Sequence, residues 1–310
     1  MKNLSKEMLS TFKKQHYKII GEHSAAKLCH WTKESIKTGG KRHCYKEQFY
    51  SDIGVKSHRC LQCTTSLTFC SLRCLFCWRK TELTRGIEFS KKDSDDPKFI
   101  VSNLIKAQGE LLNGLGGVPH SSKYLKEAYT PTNIAISLSG EPFSHNDLSE
   151  VIREFKNRGA TVFLVTNGTF PEKIEKLDNL PTQLYVSLSA NSEQMMKKVQ
   201  NPLIPNAWGE LNKTLELFPS LNTRKVIRLT MIKNLNMTKP ELYAKLIEKA
   251  SPQFIEIKAY MSIGYSRDRL GPAFMPTHEE IIQFAKEIEK HSSYKIAGEQ
   301  RASRVVLLKR

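Results

Sequence analysis

From residue 98 to its end the chain alternates two hydrophobic rhythms. "TNIAISLSG" (132–140), "ATVFLVTNG" (160–168), "TQLYVSLSA" (182–190), "RKVIRLTMI" (224–232) and "QFIEIKAYM" (253–261) are apolar continuously or at every second position, which predicts strands. Between them the apolar residues recur every three or four positions, a helical period. "FIVSNLIKAQGELL" (99–112) repeats at 100, 101, 104, 105, 111 and 112. "NDLSEVIREFKNRG" (146–159) puts Leu148, Val151, Ile152 and Phe155 on one face, with Gly159 as its stop. Pro171 suits a helix start, and a Met-rich helix follows residue 190. In "KPELYAKLIEKA" (239–250), Leu242, Tyr243, Leu246, Ile247 and Ala250 form one stripe. Thr277 and Glu280 make a capping box ahead of "IIQFAKEIEK" (281–290), and "ASRVVLLKR" predicts a last strand.

Five or six βα units in succession predict a parallel sheet. The polar residues that could do chemistry fall at strand C-termini: Ser139-Gly140-Glu141, Thr166-Asn167-Gly168 and Ser187 to Ser189. A (β/α) barrel concentrates its chemistry at that rim. No Gly-x-Gly-x-x-Gly opens a helix, so a dinucleotide-binding sheet has little support. The expected fold is α/β, a full or partial TIM-like (β/α) barrel over residues 63–310. An N-terminal cysteine-bearing extension, 1–62, precedes it.

Composition narrows the partners. Across 310 residues, 48 Lys and Arg face 31 Asp and Glu, a net charge of +17. The basic residues come in short clusters along the whole chain, as at Lys13–Lys14, Lys91–Lys92 and Lys197–Lys198. That pattern suits a charged face for a polyanion, which binds by releasing counterions from phosphates. The first twenty residues hold no apolar core of a signal peptide, and no apolar run approaches the roughly 20 residues that span a bilayer. A soluble cytoplasmic protein with no membrane partner is expected, and a monomer.

All seven cysteines lie between positions 29 and 77. In a reducing compartment such a cluster binds metal or does catalysis more often than it crosslinks. Two readings compete. Cys60-x-x-Cys63 and Cys74-x-x-Cys77 could close a four-thiolate zinc site. That leaves Cys70 unexplained. Cys70-x-x-x-Cys74-x-x-Cys77 could instead place three thiolates on a [4Fe–4S] cube, leaving one iron open to a chelating ligand.

The cube spacing, with Phe76 just before the last cysteine and "LSGEP" ending the next strand, resembles the radical S-adenosylmethionine (SAM) superfamily. The resemblance implies a (β/α) barrel and a cluster that binds the amino and carboxylate groups of SAM. It also implies one-electron cleavage to a 5′-deoxyadenosyl radical that takes hydrogen from the substrate. Ser139, Gly140 and Glu141 would hold the methionine amino group. Phe76, Thr166, Asn167, Ser187 and Ser189 would line the rest of the cosubstrate.

"KRHCYKEQFY", "HRCLQC", "CLFCWRKTE", "FLVTNGTFPE" and "IEIKAYMSIGYSRDRL" resemble the 4-demethylwyosine synthase family, from about residue 25 to the C-terminus. That family modifies tRNA(Phe) bearing N1-methylguanosine beside the anticodon, condensing the base with pyruvate into a tricycle. The hydrogen is taken from the N1-methyl group. The new carbon centre attacks the pyruvate carbonyl carbon, and the carboxylate carbon is lost. By the resemblance, Cys29, Cys44 and Cys60 hold a second [4Fe–4S] cluster, and Lys46 is the Schiff-base lysine. Trp78, Arg79, Tyr265, Arg267 and Arg269 would meet the substrate, the last three gripping RNA by stacking and phosphate contacts. An external electron donor is implied, since no flavin domain is present. The chain departs from the family pattern at Cys63, where a nonpolar residue is expected, and at Ser189, where an aspartate is expected to meet the ribose. Two alternatives stay open: another radical SAM enzyme that does not use pyruvate, and a non-enzymatic zinc-ribbon RNA-binding protein.

Overall fold

A computed structural model describes residues 4–310, which form two compact units. The first contains residues up to Phe69, Glu88–Val165 and Asp178–Thr182; the second contains Cys70–Ile87, Thr166–Leu177 and Gln183–Arg310.

In the first unit the strands are β1 (Lys18–Ile20), β2 (Ser24–Ala26), β3 (Cys60–Thr64), β4 (Asn133–Ile136) and β5 (Thr161–Thr166), hydrogen-bonded in that order. β3, β4 and β5 are parallel: Leu61 pairs with Ile134, and Ile134 with Val162. β1 and β2 are antiparallel additions. β4 is buried at every position, as a parallel strand covered on both faces must be. The helix Pro97–Leu112 starts on an Asp96 cap that accepts from Phe99 N–H, and it buries Ile100, Val101 and Leu104. In the helix Leu148–Lys156 the expected four residues, Leu148, Val151, Ile152 and Phe155, are all buried. Gly159, at φ +72°, ends it with its N–H on Lys156 O.

In the second unit β6 (Gln183–Ser187), β7 (Arg224–Met231) and β8 (Phe254–Ala259) run parallel. Here the expected alternation ends. β10 (Val305–Lys309) pairs antiparallel with β8, and β9 (Lys295–Gln300) antiparallel with β10. The capping box on the helix His278–Lys290 is present in full, Thr277 and Glu280 each bonding the other's backbone. β9 escapes the pattern because it sits at an edge, with exposed and half-buried positions alternating and no apolar run. β1 and β2 escape it because three residues each are too few to show a period. Each unit carries parallel strands with antiparallel strands added beside them, the α/β arrangement expected of a partial (β/α) barrel. No helix among the described residues is long and apolar enough to cross a membrane.

Candidate active site

In the second unit the loop Cys70–Arg79 has almost no regular structure, so its shape depends on what its backbone bonds. Cys70 N–H donates to Gly86 O (3.0 Å), and Leu75 N–H to Val199 O (2.9 Å). Arg73 N–H is shared by Gln200 O (3.1 Å) and Asn201 O (3.0 Å), at the end of the helix Glu193–Gln200. Leu75 and Phe76 pack on an apolar cluster of Val199, Ile232, Tyr260 and Leu270. The aromatic before the last cysteine is therefore an anchor for the loop. Within the same unit the Thr166-Asn167-Gly168 turn holds the loop: the Asn167 amide donates to Cys70 Sγ (3.8 Å) and Ser71 Oγ (2.8 Å). Ser71 Oγ lies 2.6 Å from Thr169 Oγ1.

The electrostatics of this loop set buried sulfurs around one buried cation. Burial pushes the Cys74 thiol well up, and the Cys70 and Cys77 sulfurs push it further. Arg79 is only 4% exposed. Burial opposes its charge, but the Cys70, Cys77 and Cys74 sulfurs, with a hydrogen bond to Cys77, outweigh burial and hold its pKa above the ordinary value. No disulfide joins any of the seven cysteines. Three soft donors on one loop beside a permanent buried cation fit an anionic iron–sulfur cube. Ser189 Oγ, just past β6, is buried with no hydrogen-bond partner, as is expected of a group kept for a polar ligand. Its carbonyl accepts from the Asn236 amide (2.8 Å), which fixes its backbone.

The first unit holds the Ser-Gly-Glu-Pro strand end. Gly140 sits at φ +73°, and a Cβ there would lie 1.9 Å from Ser66 O, so only glycine fits. Glu141 N–H donates to Phe69 O (2.8 Å), and its buried carboxylate accepts from Phe143 N–H (3.2 Å). Ser139 Oγ, like Ser189 Oγ, is buried and unpartnered.

The same unit assembles Cys29, Cys44 and Cys60 from three separate elements. Cys29 and Cys44 occupy the N-cap positions of the helices His30–Thr38 and Tyr45–Phe49, neither side chain serving as the cap. Cys44 N–H donates to Ser57 Oγ (2.9 Å), and Ser57 N–H to Glu47 (2.8 Å). Cys60 opens β3, its carbonyl accepting from Thr32 (3.3 Å) and Gln108 (3.2 Å). Burial pushes the Cys60 thiol far up; Cys29 and Cys44 add to that, and the Lys46 ammonium opposes it. Lys46 Nζ also lies 4.7 Å from the ring centre of Phe163 on β5.

Cys60 and Cys63 are three residues apart on β3, so their side chains leave opposite faces of the sheet. A zinc knuckle needs the two to converge. Cys63 is wholly buried and behaves as a small apolar residue. Among the described residues no three His, Cys, Asp or Glu side chains are grouped to hold a single ion. The thiolates of a cube sit at separate corners and need not meet at one point.

Of the other residues singled out by sequence, Ser187 is half-buried at the end of β6, paired with Arg228 on β7. Trp78 is half-buried, and its carbonyl accepts from Tyr265 N–H (3.0 Å). Arg267 is exposed. Arg269 turns inward, its guanidinium on the carbonyls of the cysteine loop. Sequence reasoning missed this use of Arg269, and with it the Ser71–Asn167–Thr169 network and the pairing of Arg79 with the thiols. For Arg79 a signal existed: a cation two residues past the last soft ligand.

Thiols gathered around a shared cation, on the loop after the first of several parallel strands, define a radical SAM enzyme, and residues 64–247 match the radical SAM superfamily. Residues 249–310 match a family described as wyosine base formation. The chain belongs to the S-adenosyl-L-methionine-dependent tRNA 4-demethylwyosine synthase family. It is 49% identical to the Pyrococcus horikoshii member over 99% of its own length and 90% of that protein's. It is 36% identical to the Methanocaldococcus jannaschii member, over 98% and 96%. A solved structure of TYW1 with a lysine-pyruvate adduct bound aligns at a TM-score of 0.88 and 34% identity, and archaeal TYW1 at 0.80 and 32%. Each covers 99% of this chain and 96% of its own.

Proposed function

We propose that this radical SAM enzyme condenses N1-methylguanosine, beside the anticodon of tRNA(Phe), with pyruvate to form 4-demethylwyosine, and that Lys46 carries the pyruvate. The observation that supports it most is that Cys29, Cys44 and Cys60, from three separate elements, lie near enough to one another and to Lys46 for the two sulfurs and the ammonium to act on the Cys60 thiol. A relative solved with a lysine-pyruvate adduct bound, similar over nearly the whole chain, adds to it.

Cys70, Cys74 and Cys77 would hold a [4Fe–4S] cluster, which with SAM and one electron from an external donor would supply the radical chemistry that takes hydrogen from the N1-methyl group. The Asn167 amide and Arg79 offset the negative charge of the thiolates. Ser139, Gly140 and Glu141 receive the methionine end of SAM. Phe76 holds the loop, and Thr166, Ser187 and Ser189 present oxygens to the nucleoside end. Ser189 stands in for the expected aspartate: a hydroxyl accepts or donates, so it can bond a ribose hydroxyl without a charge. Cys29, Cys44 and Cys60 would hold a second cluster, which would supply a binding place for pyruvate beside Lys46.

The Lys46 amine adds to the pyruvate carbonyl carbon and water leaves. The methyl-derived carbon radical adds to the imine carbon, and the carboxylate carbon departs with the unpaired electron as a carbon dioxide radical anion. The re-formed imine is attacked by the exocyclic amine of the guanine, which closes the ring, releases the Lys46 amine and, with loss of a methylene proton, gives the tricycle. The +17 net charge provides the phosphate-binding term for tRNA, while Trp78, Tyr265 and Arg267 offer stacking and phosphate contacts near the displaced base.

Borohydride reduction of the pyruvate-loaded protein, followed by peptide mass spectrometry, tests the assignment. The expected result is a pyruvate-derived mass on the Lys46 peptide and none in Lys46→Arg. An adduct on another lysine, with Lys46→Arg still making product, would reject it.

A further inference from the structure

Arg269 lies 190 residues or more from the cysteine loop in sequence, yet its guanidinium is taken up by that loop. Nε donates to Leu75 O (3.1 Å), and Nη2 to Arg79 O (3.2 Å) and to Cys77 O. Nη1 faces Glu82 at 3.6 Å. All three nitrogens are thus engaged, and the side chain is only 15% exposed. The accepting carbonyls belong to alternate residues, 75, 77 and 79, and so bracket the last cluster cysteine on both sides. Three carbonyl dipoles turned toward one point repel each other unless a cation sits among them. A planar guanidinium with five N–H donors can serve all three; an ammonium is a single point and cannot span them.

The neighbouring backbone repeats the attachment. Tyr265 N–H donates to Trp78 O, and Gly264, at φ +56°, approaches so closely that a Cβ would lie 2.3 Å from the same oxygen. The short helix Ser266–Arg269 is therefore fastened to the loop by main chain at one end and by Arg269 at the other.

We infer that Arg269 is a positioning residue for the radical-generating cluster: it fixes the curvature of residues 75–79 so that Cys74 and Cys77 present their sulfurs to the cluster in the right directions. It is not a phosphate contact. The inference rests on the cluster assignment to Cys70, Cys74 and Cys77. It also explains why a residue of the wyosine-forming segment is needed by the cluster loop: cofactor loop and substrate-side segment are held in one register.

The test compares Arg269→Gln, Arg269→Lys and Cys70→Ala with the wild type, each as full-length protein reconstituted anaerobically. Two readouts are used, the rate of iron release to a chelator and the EPR spectrum of the reduced protein with and without SAM. Arg269→Gln is expected to release the loop cluster's iron about tenfold faster, the scale of losing a buried charge-assisted donor, and to change the SAM-dependent EPR shift. Arg269→Lys, which keeps the charge but cannot span the three carbonyls, is expected to resemble Arg269→Gln. Wild-type iron release and EPR in both Arg269 variants overturn the inference, as does full rescue by lysine or a defect confined to binding of a tRNA(Phe) transcript. Cys70→Ala separates the two readings. Unchanged iron there overturns the cluster assignment and this inference with it; iron lost there but held normally by both Arg269 variants overturns this inference alone.

Discussion

The two cysteine triads are built in opposite ways. Cys70, Cys74 and Cys77 share one loop, where four- and three-residue spacing brings them together whatever the rest of the chain does. Cys29, Cys44 and Cys60 come from two helix N-caps and a strand start, and only the packing of those elements gathers them. The local triad has a buried arginine among its sulfurs, whereas the scattered one has a lysine. A guanidinium stays charged in any surroundings and suits permanent compensation; an ammonium can lose its proton and become a nucleophile. Under the proposed function, the first site holds a charge distribution and the second does covalent chemistry.

The largest test of this contrast is to remove one cysteine from each triad. Cys70→Ala should abolish formation of 5′-deoxyadenosine altogether, while Cys60→Ala should keep it and lose the tricyclic product. Anaerobic turnover with product analysis reads both, and equal loss of deoxyadenosine in the two variants would mean the triads are not separate in function. Iron analysis sharpens the result: about half of the wild-type iron should remain in each variant, the share of one cube of two.

Gly140→Ala probes the strand end that accompanies the first triad. With Ser66 O at 1.9 Å from the new Cβ and a left-handed backbone, it should cost about 3 kcal/mol or more, read as a fall in denaturation midpoint.

A smaller, pH-dependent effect belongs to the first unit. His23 is 2% exposed, stacked on Phe89, with Asp95 and His145 near its ring. Burial pulls its pKa below 6.5, against the opposing pull of Asp95 and of the Thr65 carbonyl. The folded chain then binds fewer protons than the unfolded chain below that pH. The contribution is complete at neutral pH and is lost as pH falls through 6.5 toward the folded value. Melting temperature should drop between about pH 7 and 5, and His23→Gln should flatten that slope. An unchanged slope would assign the acid sensitivity elsewhere.

The smallest effect is expected at Cys63. Cys63→Ala should leave iron content untouched and cost about 1–2 kcal/mol through the cavity alone; loss of iron would make Cys63 a ligand and reverse the face argument for β3.

The sequence determined the features that nearest neighbours enforce. The apolar run "VFL" (162–164) marks a strand buried on both faces, the Thr277–Glu280 capping box closes within one turn, and the Cys70–Cys77 spacing is a property of a short loop. Tertiary structure alone decided the rest. Nothing in "KIAGEQ" announces a strand, because its partner β10 supplies the pairing and not its own burial. Arg269 reads as one surface cation among 48 basic residues until the fold brings three carbonyls to it. Lys46 and Cys60 become neighbours only when a helix and a strand pack, since contacts across long chain separations depend on every element between them and leave no local trace.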